Sequence, residues 1–115
     1  MSDTELSLPE EQAFQLSRCA IALDNAWEGK DKDLGGLVAA LNANLELWVA
    51  IRTTVMRPDC SLAEAAKENL KRLAEFVASK TFEGIAVLNT DTVRTLVNIN
   101  LQISEGLLEG TKAPG

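Results

Sequence analysis

The chain contains no histidine and no tyrosine among its 115 residues, and aromatic residues make up only 4%. The missing histidine removes the commonest general base and the commonest metal ligand. With only Cys19 and Cys60 left as soft ligands, an ordinary Cys/His zinc site cannot be assembled. The two thiols read as small core or half-buried residues. Catalysis by cysteine would need a base partner that the chain does not supply in its usual form. No glycine-rich phosphate loop is present: Gly35-Gly36 lacks both the spacing and the following Lys-Ser/Thr. The carboxylates fall on expected solvent faces, and no Glu-x-x-His pair could hold a di-iron centre. The residues therefore point to no catalytic, cofactor-binding or metal-binding role.

Basic residues are outnumbered, 11 Lys+Arg against 17 Asp+Glu, a net charge of −6. That balance repels phosphate backbones and disfavours direct contact with nucleic acid or an anionic membrane surface. Met1–Leu8 is polar and acidic and lacks the pattern of a signal peptide. Uninterrupted apolar runs such as Leu37–Leu41 are too short to cross a bilayer. The expectation is a soluble, cytoplasmic protein.

The 46% of hydrophobic residues, mostly aliphatic, suits close-packed helices in a single domain over residues 1–115. Residues 1–6 and 111–115 read as flexible tails. Four helical segments are predicted, giving an all-α small helical bundle. The first opens with a Ser7/Glu10 capping box and Pro9 in its first turn. It carries Leu16, Cys19, Ala20, Leu23, Ala26 and Trp27 at helical spacing and stops at Gly29. The second starts near Asp33, runs along Leu34, Leu37, Val38, Leu41, Leu45 and Trp48, and ends before Pro58. The third opens with a Ser61/Glu64 box and shows Leu62, Ala66, Leu70, Leu73 and Val77 on one face. A Glu68–Arg72 pair lies on the other face. Continuation through Thr81–Leu88 favours a long, kinked third helix. The fourth begins after Asn89-Thr90-Asp91, follows Val93, Leu96, Val97, Ile103 and Leu107, and stops at Gly110.

Asn44 and Asn100 lie on or beside the apolar stripes of the second and fourth helices. A buried amide must be hydrogen-bonded or it destabilises the fold. Either the two amides pair with each other or with backbone and fix helix register, or they line a groove used by a partner. Trp27 and Trp48 pose the same choice between core packing and a binding hot spot, with Trp27 the better candidate for exposure. Gly106 inside a helix suggests that another backbone approaches closely there, either the bundle's own second helix or a helix of a partner.

The stretch Leu41-Asn42-Ala43-Asn44-Leu45-Glu46-Leu47-Trp48 resembles the first signature of the FlaF family of flagellar biosynthesis regulators. The stretch Ile99-Asn100-Leu101-Gln102-Ile103-Ser104-Glu105-Gly106-Leu107 resembles its second, I-N-x-x-I-x-E-G-L. Ala43 stands where the family often has Trp, and Leu45 and Leu101 stand where it often has Arg. The resemblance implies a regulator that associates with flagellin and supports its secretion or the control of its synthesis, in concert with the regulator FlbT. The signature or partner-binding residues it implies are Asn44, Leu47, Trp48, Asn100, Ile103, Gly106 and Leu107. Helix-in-groove docking of flagellin's amphipathic terminal segments would fit a small bundle. The competing readings are a direct regulator of flagellin mRNA and a structural subunit of a larger complex.

Overall fold

A computed structural model describes the backbone of residues 8–112 and the side chains of residues 10–108. The protein is all-α: α1 spans Leu8–Glu28, α2 Leu34–Val55, α3 Glu64–Glu83 and α4 Thr90–Lys112. A single 3-10 turn, Ile85–Val87, lies between α3 and α4, and no strand occurs among the described residues.

Side-chain caps start two of the helices. Asp33 accepts the Gly36 N–H at 2.9 Å and opens α2. A Cβ at Gly36 would sit 2.6 Å from the Asp33 carboxylate, so the glycine makes room for that cap. Asn89 accepts the Thr92 N–H at 2.8 Å and opens α4. The expected Ser61/Glu64 box does not form. The chain is still non-helical at Leu62, and α3 starts behind an extended Ala63 that offers no side-chain cap. Glu64 instead pairs with Lys67 at 3.4 Å. Ser7, of the first expected box, lies outside the described residues.

The helix ends also differ in part from the sequence reading. α2 stops at Val55, ahead of Pro58, as expected. Gly29 follows α1 without a left-handed conformation, since Gly84 is the one described glycine with positive φ. Its carbonyl instead accepts two N–H groups, from Lys32 and Asp33, each at 3.0 Å, and this turn leads into the Asp33 cap. The third helix is not long and kinked through Leu88. It breaks at Gly84, whose φ of 90° and ψ of 167° lie in a region that side chains on Cα disfavour. α4 runs through Gly110 to Lys112, into the segment read as a tail. Glu68 pairs with Lys71 at 2.8 Å rather than with Arg72, and the Lys71 hydrogen bond holds its carboxyl below the usual range.

The most extensive packing is between α1 and α4; α2 packs on both α1 and α3, while α3 and α4 barely touch. The shared core runs through Leu16, Leu23, Leu37, Trp48, Ile51, Val77 and Leu96. The buried stripe of α2 is Leu37, Leu41, Asn44, Trp48, Ile51 and Val55. Leu34 and Val38, expected on it, are exposed. By length and composition α2 is also apolar enough to cross a membrane, which the run-length reading missed. Polar interruptions such as Asn42, Asn44 and Glu46 break its runs without lowering its average much. Here its inner face forms the core between α1 and α3.

Candidate functional site

The centre of the bundle is a polar knot. Asn44 and Asn100 are both 0% exposed, as is Trp48. The Trp48 indole N–H donates to Asn100 Oδ1 at 2.8 Å. Asn100 Nδ2 donates to Asn44 Oδ1 at 2.7 Å and to the Leu16 carbonyl at 3.2 Å. These partners fix the amide orientations. An indole N–H can only donate and a backbone carbonyl can only accept. Asn100 must therefore turn its oxygen to Trp48 and its nitrogen to Leu16, which leaves Asn44 to present its oxygen. The Asn44 Nδ2 group, equally buried, has no partner among the described residues. One side chain on α4 thereby ties together α1 and α2. The sequence reading in which the two amides pair holds, and the groove-lining reading does not.

A second polar contact lies one turn further along α4. Ser104 donates to the Ala13 carbonyl at 2.8 Å and its hydroxyl lies 2.9 Å from that of Ser17. Sequence reasoning missed Ser104. The signal was there, because Leu96, Asn100 and Ser104 continue one i, i+4 stripe. At the other end of this helix pair, Trp27 Nε1 donates to Thr90 Oγ1 at 3.2 Å. The Lys30 ammonium stands 4.3 Å from the Trp27 ring centroid. Trp27 is half-buried, hence more accessible than Trp48.

These contacts join the two segments singled out in the sequence: Asn44 and Trp48 from one meet Asn100 from the other. A family model described as flagellar protein FlaF matches residues 4–107. The chain belongs to the FlaF family. No curated protein and no solved structure matches it. In this FlaF chain the two signature segments, far apart in sequence, are the two halves of one buried hydrogen-bonded unit.

The remaining signature-like residues are distributed differently. Leu47, Ile103 and Leu107 are half-buried and pack against the core. Gly106 is exposed, and a Cβ built on it meets nothing within 4 Å. Among the described residues the internal backbone neighbour expected there is absent, because Gly106 lies on the exposed side of α4, so of the two readings only that of a partner's helix stands. Leu107 reaches a cleft of about 400 Å³ at one end of the bundle, shared with Gln12, Thr54, Arg57 and Cys60. Leu62, expected on the apolar face of α3, lies in the preceding loop and lines this cleft too. Cys19 and Cys60 are both free and half-buried. Burial pushes the Cys19 thiol up, partly offset by Arg18. Among the described residues no three carboxylate or thiol side chains are grouped as a metal site would require.

Proposed function

We propose that this FlaF-family protein is a flagellum biosynthesis factor that binds flagellin in the cytoplasm and supports its secretion or the control of its synthesis. The observation that carries the reading is the family match over residues 4–107. A chaperone-like role fits the surface physically. Large apolar side chains stand exposed on several helices, among them Ile21, Val49 and Phe82, and these can dock an amphipathic segment before export. The buried amides act inside the fold and hold the helices that present this surface. FlbT is a second partner under the same reading. The net charge of −6 weighs against direct capture of flagellin mRNA.

The test is co-elution of the purified protein with monomeric flagellin on a sizing column, with a competitor RNA in a parallel run. A stable complex with flagellin is expected, unchanged by the RNA. Two separate peaks at concentrations up to tens of micromolar would sink the proposal (about 6–7 kcal/mol of binding energy). Sequence-selective retention of flagellin mRNA would put the RNA-regulator reading in its place.

A further inference from the structure

Where the start of α2 meets the end of α3, the bundle carries a hollow of about 170 Å³ lined by Val38, Leu41, Asn42, Thr81, Gly84 and Ile85. Gly84 keeps it open, since a Cβ there would meet nothing within 4 Å. Beside the hollow stands Phe82, at 76% the most exposed large apolar side chain among the described residues. Phe82 follows Thr81 on α3 but does not line the hollow. It lies on the edge of α3 turned toward α2, because Glu75, seven residues earlier on the same stripe, borders a groove there with Arg52 and Met56. Leu34, one turn before Val38, and Val87, two residues beyond Ile85, are 53% and 58% exposed. A protruding ring and an empty apolar hollow therefore sit side by side within one exposed apolar patch. A cavity of about 150 Å³ takes up a benzene ring, so the hollow has room for one phenylalanine.

Charge narrows the choice of occupant. Each chain carries −6, so two copies repel one another wherever carboxylates face carboxylates. Here they do not: none of the six residues lining the hollow is ionisable. Lys80 and Glu83 flank Phe82 with opposite signs, 3.4 Å from each other. The turn ahead of Leu34 holds Lys30, Asp31, Lys32 and Asp33, two of each sign, and Asp33 is engaged as the α2 cap. The border of the patch is balanced, and about a two-fold axis Lys80 of one copy comes to face Glu83 of the other. A two-fold interface brings one surface against itself, so a projection on each copy must meet a recess on the other. Phe82 and its neighbouring hollow meet that requirement without any other protein.

We infer that this patch is a self-association surface, on which two copies of the chain pair about a two-fold axis with Phe82 of each seated in the Val38–Gly84–Ile85 hollow of the other. The pairing goes beyond the flagellin reading and does not depend on it. In the pair Phe82 is covered, while Ile21 and Val49 remain open to a further partner.

The test is sedimentation equilibrium of the full chain over a concentration series. A dimer half-formed at roughly 10–100 μM is expected for a contact of a few side chains. Phe82→Glu should raise the dissociation constant about tenfold or more, because it drives a carboxylate into an apolar recess. Val38→Lys should do the same from the side of the hollow. Phe14→Glu, the same change at an exposed phenylalanine of α1, should leave the dimer intact. Mixing the Phe82→Glu and Val38→Lys chains should restore a heterodimer. That pairing keeps one ring-in-hollow contact and sets the introduced acid against the introduced base. A chain that stays monomeric up to roughly 1 mM, a dimer indifferent to Phe82→Glu, or one dissolved equally by Phe14→Glu would overturn the inference. So would two variants that fail to pair on mixing. The concentration series on the unaltered chain needs no variant to fold. A monomeric chain whose flagellin retention falls on Phe82→Glu would overturn the pairing and make flagellin the occupant. A dimer that retains no flagellin would uphold the pairing and overturn the proposed function.

Discussion

Helices α1, α2 and α4 and helix α3 are held in two different ways. The first three are joined through their interior by Asn100, which bonds to Asn44 and Trp48 on α2 and to the Leu16 carbonyl on α1. Ser104 adds a further tie to Ala13. Among the described residues α3 makes no side-chain hydrogen bond or ion pair to another helix: its ion pairs are all with its own residues. It is attached by Leu70, Ala74 and Val77 and is bounded by Gly84 at its C-terminal end. Apolar packing is tolerant of small slips, whereas a buried amide with one satisfiable geometry is not. One side of the bundle is therefore fixed in register, and the other is only fixed in place.

The largest effect should come from the amide at the centre. Asn100→Ala leaves the Trp48 indole N–H and the Asn44 oxygen without partners and strips the Leu16 carbonyl of its second bond, beyond the one inside α1, and should cost about 3–5 kcal/mol. Asn44→Ala removes one acceptor and an NH2 group whose two donors are unpaired already. Asn100 keeps its bonds to Trp48 and Leu16, so the cost should be about 1–2 kcal/mol. The double variant should cost less than the sum, since both singles break the same bond. Equal costs in denaturant melts for the two single variants would show that Asn100 is not the hub.

A middle-sized effect should separate α3 from the rest. Hydrogen exchange under native conditions should release α3 amides at an opening free energy about 2 kcal/mol or more below that of α1 and α4. Uniform protection across the four helices would erase the distinction between the two regions.

Much of this was legible in the sequence because it is local. Helical periodicity placed Leu16, Leu23, Leu37 and Leu96 in the core, and the Asp33 and Asn89 caps could be read from residue type and position. The pairing of Asn44 with Asn100 was open as one of two readings. What decided it was the Trp48 indole, which supplies the donor that orients Asn100, and no spacing rule contains that. The break at Gly84 was under-read, since helical spacing continued past it while the backbone left the helix. Ser61 failed as a cap because the chain after Pro58 spends its residues up to Ala63 in turns and extended backbone.

Two glycines give the smallest and most direct contrast between the regions. Gly84 closes α3 with φ of 90° and has no atom within 4 Å of where a Cβ would stand. Space is therefore not the obstacle to a side chain there; backbone conformation is. Gly84→Ala should destabilise the protein by about 1–3 kcal/mol through that conformation alone. Gly106 has equally open surroundings but sits in the helical backbone of α4. There the absent side chain only leaves the unfolded chain freer, so Gly106→Ala should stabilise by up to about 1 kcal/mol. The two substitutions add the same methyl to the same open space, and thermal melts should move in opposite directions. A shared sign would mean that α3 does not end on a left-handed glycine, or that Gly106 has a neighbour that the free protein conceals.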